Sequence, residues 1–301
     1  MFSLLRDVLF PIAVFLHAVL IGAPRNHGRG RFQHAAFAVR RVGRLSSAQH
    51  ESSGLARGDV PGTIWNHGDS GAPARLTLIS LPGTELRSLN LAPLQNTDWE
   101  DLAQGAAGYL YIGDFGNNDN KRRDLVIYRL NPRQARPQVD TIAFNYPDQR
   151  AFPPQRSRRN FDCEAFFWLD DTLHLFSKDR SYQQWTKHYL LPAKPGHYVA
   201  ILRDSLRLNT PITAADISPD GRTVVLLGYG GLFLFARQPG QKLFDSPKSF
   251  RALPTTGQAE GLIFLTDSTL LVSNEKGRLY QATRRARKFG STGAPDSRPH
   301  P

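Results

Sequence analysis

The stretch that decides the fold runs from Glu100 to Pro132. It reads EDLA (100–103), then YLYIGDFGNN (109–118), then LVIYRLNP (125–132). Leu110-Tyr111-Ile112 and Leu125-Val126-Ile127-Tyr128 are short runs of β-branched and aromatic residues, and a polar Gly/Asn/Asp loop separates them. That composition specifies strands joined by a turn.

The same order of parts returns four more times. Glu51 opens ESSGLA (51–56), followed by GTIWNHGDSG (62–71) and RLTLISL (75–81). Glu164 opens EAFFW (164–168), followed by TLHLFSKDRS (172–181) and KHYLLP (187–192). Asp216 opens DISPDG (216–221), followed by TVVLLGYGG (223–231) and LFLFARQ (232–238). Glu260 opens EGLIF (260–264), followed by TLLVSNEKG (269–277) and RLYQAT (278–283). The acids recur at intervals of 49, 64, 52 and 44 residues. A unit of this length with several short strands suits a β-propeller blade. The fold class is therefore all-β, a five-bladed β-propeller; a six-bladed ring stays open as the alternative, because the 64-residue interval could hide another unit. That interval contains an Arg/Pro-rich loop at 147–160.

A fourth strand is expected at ELRSLNLA (85–92), TIAFNYP (141–147), HYVAILRDSLRL (197–208) and KSFRALP (248–254). The fifth unit has none after Thr283, whereas AAFAVRRVGRL (35–45) is a spare strand at the other end of the chain. A ring must seal its edges, since an open strand edge pairs with other chains. Residues 35–45 are thus expected to close the last blade. Beyond residue 23 no helical periodicity persists over a dozen residues.

Four segments follow from this. Residues 1–23 hold Arg6, an apolar run from Val8 to Ile21, and then Gly22-Ala23. They read as a signal peptide or N-terminal anchor, placing the protein outside the cytoplasm, whether secreted, periplasmic or at the cell surface. Residues 24–34 read as a linker, 35–283 as the propeller and 284–301 as a disordered basic tail. The formal charge is +12, but many of the cations gather near the two ends and in the 147–160 loop. No zinc finger, RNP-like motif or basic helix accompanies them, so a nucleic-acid partner is not expected. The single cysteine, Cys163, excludes an internal disulfide and lies in an apolar stretch, as a buried core residue would. A monomer is expected, with no membrane contact beyond the possible anchor.

In a propeller blade the start of the inner strand and the loop after the second strand share one face of the disc. That geometry gathers Glu51, Glu100, Glu164, Asp216 and Glu260 around one mouth of the central channel. Asn66, His67, Asp69, Asp114, Asn117, Asn118, Lys178, Asp179, Asn274 and Glu275 surround them. Like charges crowded together either raise one another's pKa or require a cation. Oxygen ligands in irregular geometry suit calcium, so the five acids are candidate metal ligands. Zinc is disfavoured, because no His/Cys cluster accompanies the acids. The competing reading is scaffolding, in which each acid accepts hydrogen bonds from backbone amides of the next blade. His67 reads either as a loop hydrogen-bonding residue or as a base. No G-x-S-x-G elbow, H-E-x-x-H or P-loop is present.

WNHGDSG (65–71), NTDWEDLA (96–103), LYIGDFGNN (110–118) and ADISPDG (215–221) resemble a family of secreted bacterial β-propellers. Its members carry H-N-D-S-G, D-W-E-D-I-A and Y-x-G-D-I-G-D/N-N motifs, and the likeness spans roughly residues 37–281. Asn66-His67 replaces the more usual His-Asn order. The D-x-E-A and A-E-G-L strands (162–165 and 259–262) are similar, more distantly, to esterase-like phytase propellers. The plan of five acids resembles that of calcium-dependent apyrases in architecture alone. Two functions are compatible with these residues. One is an exported module that binds a cation and a small or polymeric ligand, such as a sugar or peptide, at an acidic mouth. The other is a metal-assisted hydrolase of phosphate or carboxylic esters, with Glu100, Glu164 and Asp114 as candidate catalytic groups and Lys178 beside the substrate. A glycoside-cleaving carboxylate pair is a further option.

Overall fold

The computed structural model describes residues 29–46 and 52–285. Two strands precede the first blade, β1 (Gln33–His34) and β2 (Phe37–Arg44). The blades then follow in chain order. The first comprises β3 (Ser52–Arg57), β4 (Thr63–Gly68), β5 (Arg75–Ser80) and β6 (Thr84–Asn90). The second comprises β7 (Trp99–Gln104), β8 (Leu110–Asp114), β9 (Val126–Leu130) and β10 (Val139–Asn145). The third begins with β11 (Asp162–Leu169), β12 (Thr172–Lys178) and β13 (Trp185–Pro192). After β14 (Gly196–Val199), β15 (Ile201–Arg207) completes it. The fourth comprises β16 (Ile212–Ile217), β17 (Thr223–Gly228), β18 (Gly231–Ala236) and β19 (Lys248–Ala252). The last comprises β20 (Ala259–Thr266), β21 (Thr269–Asn274) and β22 (Arg278–Arg284).

The sheets make a five-bladed propeller. Inner strands β3, β7, β11, β16 and β20 each pack on the next, and β20 packs back on β3, so the ring closes. Strand β2 closes it by pairing antiparallel to β22, from Phe37 opposite Arg284 to Arg44 opposite Arg278. The N-terminal strand expected to complete the last blade does so. The 64-residue interval holds no sixth blade, only the loop that bridges β10 and β11.

Two details differ from the sequence reading. Residues 197–208 were expected to form one strand. Instead β14 leaves its blade and pairs parallel with β10 of the second blade, from Ile142 opposite Gly196 to Asn145 opposite Val199. The chain turns at Ala200, whose amide bonds the Asn145 carbonyl at 2.9 Å, and β15 returns to β13. Part of the expected linker is also structured, because β1 pairs parallel with β19. The segment 1–23 and residues 286–301 of the tail lie outside the described residues.

The core is divided among the blade interfaces, and each of five apolar clusters draws on two adjacent blades. Between the second and third blades, Phe115 meets Phe166 edge-on at 5.1 Å and Tyr146 packs on Tyr189 at 4.7 Å. Aromatic pairs of this kind contribute beyond the area they bury. Cys163 belongs to this interface, fully buried, with its thiol pKa pushed up by desolvation. Blades held by flat apolar faces leave the ends of the inner strands free to carry polar groups into the axis.

Candidate functional site

Each inner strand breaks register near its start. The breaks fall between Ser52 and Leu55, Trp99 and Asp101, Cys163 and Ala165, Ile212 and Ala214, and Ala259 and Gly261. A bulge inserts an unpaired residue and redirects its side chain. The inserted residues are Ser53-Gly54, Glu100, Glu164, Thr213 and Glu260. Equivalent carboxylates therefore occupy the second, third and fifth blades. Thr213 holds the fourth position and donates its hydroxyl to the Ala259 carbonyl at 2.8 Å.

Asp216 requires a correction. It lies three residues beyond the bulge, on the order of 10 Å along the strand. Its Oδ2 accepts from the Phe264 amide at 2.7 Å and from Arg57 at 3.3 Å. It ties the fourth blade to the fifth and to the far end of β3, and it does not join the mouth. Glu51 falls outside the described residues. The scaffolding reading thus describes Asp216, and also Asp101, which bonds the amides of Phe166 (3.2 Å) and Ala215 (3.5 Å) across the axis. For Glu100 no such amide bond is present among the described residues.

Around Glu100 the acids converge. Carboxylate oxygens of Asp69, Asp98 and Glu100 lie within 4.8 Å of one another, as do those of Glu100, Asp162 and Glu164. Asp98 and Asp162 precede their glutamates by two residues, the spacing that puts side chains on one face of an extended chain. The second group carries its own cations. Arg180 bonds Asp162 at 2.5 Å and Glu164 at 2.7 Å, and Lys178 donates to the other Glu164 oxygen. Lys178 also reaches the Tyr229 hydroxyl at 3.3 Å, and that hydroxyl donates to Glu260 at 3.0 Å. A chain of polar contacts thus runs from the third blade through Tyr229 of the fourth to Glu260 of the fifth. Asp98 and Glu100 form no ion pair among the described residues.

The electrostatics follow this asymmetry. Burial, then the charges of Glu164, Asp162, Asp69 and Asp98, push the Glu100 pKa well above the usual range. Burial, then Asp162 and Asp69, raise Asp98 to about 6. Glu164 and Glu260 are also raised, chiefly by burial, against the opposing pull of Lys178. Space is reserved at the same place. A Cβ on Gly116 would collide with Glu100 Oε1 and with the Asp98 carboxylate. The buried acidic residues could hold a metal ion, and the side formed by Asp69, Asp98 and Glu100 suits one best because Asp98 and Glu100 form no ion pair among the described residues.

The other expected site residues divide between the mouth and its supports. Asp114 is paired with Arg122 at 2.9 Å and accepts from the Asp98 amide at 3.1 Å, positioning the loop below the acids. Asn117 fastens that loop to the third blade, its amide donating to Asp162 at 2.6 Å. Asn118 is exposed. Asn66 is spent on Ser52 and the Gly54 carbonyl, and Asn274 on Thr256 and the Arg278 amide. Glu275 is half-buried, its amide on Gln258. Asp179 caps the amides of Ser181 and Trp185. His67 is buried against Trp99, and desolvation lowers its pKa to about 4. The ring is neutral there, and its Nε2 lies beside Gly54 of the first blade's bulge. Sequence reasoning left out Asp98, Asp162, Tyr229 and Gly116 as site residues. The D-x-E spacing, repeated in two adjacent blades, was the signal for the first two.

Among solved structures the chain resembles β-propellers. The fold is the part they share. The PQQ-bound aldose sugar dehydrogenase of Streptomyces coelicolor aligns with a TM-score of 0.50 at 12% identity, covering 83% of this chain and 99% of that one. Virginiamycin B lyase of Staphylococcus aureus aligns at 0.40 with 14% identity, covering 78% of this chain and 66% of the lyase. A protein of unknown function from Bacteroides thetaiotaomicron aligns at 0.45 with 9% identity, covering 85% of this chain and 77% of that one. No family profile and no curated protein matches the sequence.

Proposed function

We propose that this is an exported propeller that binds a divalent cation, calcium, at the Asp69–Asp98–Glu100 side of its axial mouth, and a small or polymeric ligand over that cation. The observation that carries this is the convergence of three carboxylates within 4.8 Å, two of them in no ion pair among the described residues. A hard cation relieves their mutual repulsion. Calcium takes six to eight oxygens, so three side chains leave positions for water and for ligand hydroxyls or carboxylates. Asp69 and Asp98 are only half-buried, so solvent reaches the carboxylates. Export rests on the apolar run Val8–Ile21 and on the likeness to secreted propellers.

Calorimetric titration of the metal-stripped protein with Ca²⁺ tests the site. One-to-one binding is expected. It should weaken at least about tenfold in Glu100→Gln and also in Gly116→Ala, whose added methyl takes the space beside the carboxylates. Unchanged binding in both variants would reject it.

A second reading draws on Asp98. A carboxylate held near about 6 and open to solvent can exchange protons near neutral pH. Beside a cation it could activate water against a phosphate or carboxylic ester. Turnover of simple aryl phosphates or acetates, dependent on Ca²⁺ and lost in Asp98→Asn, would favour this hydrolase over the binding module.

A further inference from the structure

The loop between the second and third blades builds a second concavity, outside the acidic mouth. Its residues 148–160 form one wall and the β12–β13 connection forms the other, enclosing about 650 Å³. That volume lies in the range of small-molecule sites. The walls are fastened together. Gln183 donates to the Ser157 carbonyl at 2.9 Å, Asn160 to the Trp185 carbonyl at 2.8 Å, and the Arg180 amide to the Arg159 carbonyl at 2.9 Å. The cleft is therefore a pre-formed feature of the loop.

Its lining has a distinct chemistry. Trp185 is 43% exposed, an unusual setting for the largest apolar side chain in a chain whose Trp65 and Trp99 are buried. The two acids of the walls are already engaged. Asp148 holds Lys187 at 2.7 Å and the Tyr189 hydroxyl at 2.9 Å, and Asp179 caps two amides. Arg150 and Arg158 are exposed and form no ion pair among the described residues. The cleft thus offers an aromatic face, uncommitted guanidinium groups and polar groups from Gln155 and Ser181.

We propose that this cleft binds an acidic sugar of one or two rings. The apolar face of a pyranose can stack on the Trp185 indole, whose exposure costs free energy until it is covered. A ring carboxylate can take paired hydrogen bonds from a guanidinium. The hydroxyls match the amide and hydroxyl groups of the walls. A ligand with only charge would leave the indole bare, and a neutral sugar would leave both arginines unused.

The test uses the full chain, stripped of metal on a chelating resin so that the acidic mouth does not contribute. Digalacturonate is titrated while calorimetry and tryptophan fluorescence are followed, with digalactose and a tetraglutamate peptide as comparators. Saturable binding with a change in emission is expected, together with at least about tenfold weaker binding of both comparators. Trp185→Ala should abolish the emission change, and Arg150→Ala or Arg158→Ala should each weaken binding several-fold. These side chains are exposed, and a thermal melt will show that the variants stay folded. Binding absent up to about 10 mM, equal binding of either comparator, or full binding by Trp185→Ala would overturn the proposal.

Discussion

Asp98 and Glu100 lie side by side, both in no ion pair among the described residues and both with raised pKa values. The folded protein keeps a proton on Asp98 up to about 6, whereas an exposed aspartate loses it near 3.8. The folded state therefore binds this proton more tightly than the unfolded state. Its contribution to stability is present at low pH and falls as pH rises from about 4 toward 6. A cation has to displace the protons of both Asp98 and Glu100, so calcium affinity should climb as pH rises through the Asp98 window. Calorimetry at several pH values will measure this, and a flat profile would contradict the assignment. Lys178 supplies a complementary test. Its ammonium is nearly buried and bonded to Glu164. Lys178→Met removes one of the two cations bonded to Glu164 and leaves Arg180, so it should destabilise the protein in chemical denaturation by less than the about 3–5 kcal/mol of a fully stranded buried charge. Adding Glu164→Gln should restore part of that loss, because the side chain then carries no charge to compensate.

At the scale of elements, strands were the most legible feature. Runs such as TVVLLG and LVIYRL announce themselves through β-branched and aromatic residues. The spare strand at 35–45 could be matched to the incomplete fifth blade by counting. Bulges were not legible, because an inserted residue leaves no mark in composition. The repeat pattern consequently points to Asp216 in the fourth blade, beside the conspicuous SPDG turn, whereas the equivalent position is Thr213. Likewise, 197–208 carries one continuous β pattern, and only packing shows β14 leaving to join β10. Scaffold and site acids look alike in sequence, and their roles separate only once Asp101 and Asp216 are seen bonded to amides. The closure by β2 carries a prediction. Removing residues 1–46 would expose the edge of β22, which β2 covers along its length. Loss of cooperative unfolding and self-association is expected, readable by calorimetry and light scattering. A monomeric truncated chain that melts as the full protein does would contradict this.

Across the whole molecule, charge and site have opposite signs. The chain carries +12, yet its axis concentrates carboxylates from the first three blades. The ring makes this possible. Five apolar interfaces stabilise the disc, so a costly group of like charges can persist at its centre, partly offset by Lys178 and Arg180. The asymmetry of that offset is the central claim: internal cations serve Asp162 and Glu164, and the proposed external one would serve Asp98 and Glu100 together with Asp69. A crystal structure grown with Ca²⁺, with anomalous diffraction recorded, tests this most directly. The account predicts one anomalous peak about 2.3–2.6 Å from oxygens of Asp69, Asp98 and Glu100. A mouth without a peak, or a cation bound only elsewhere on the protein, would contradict it.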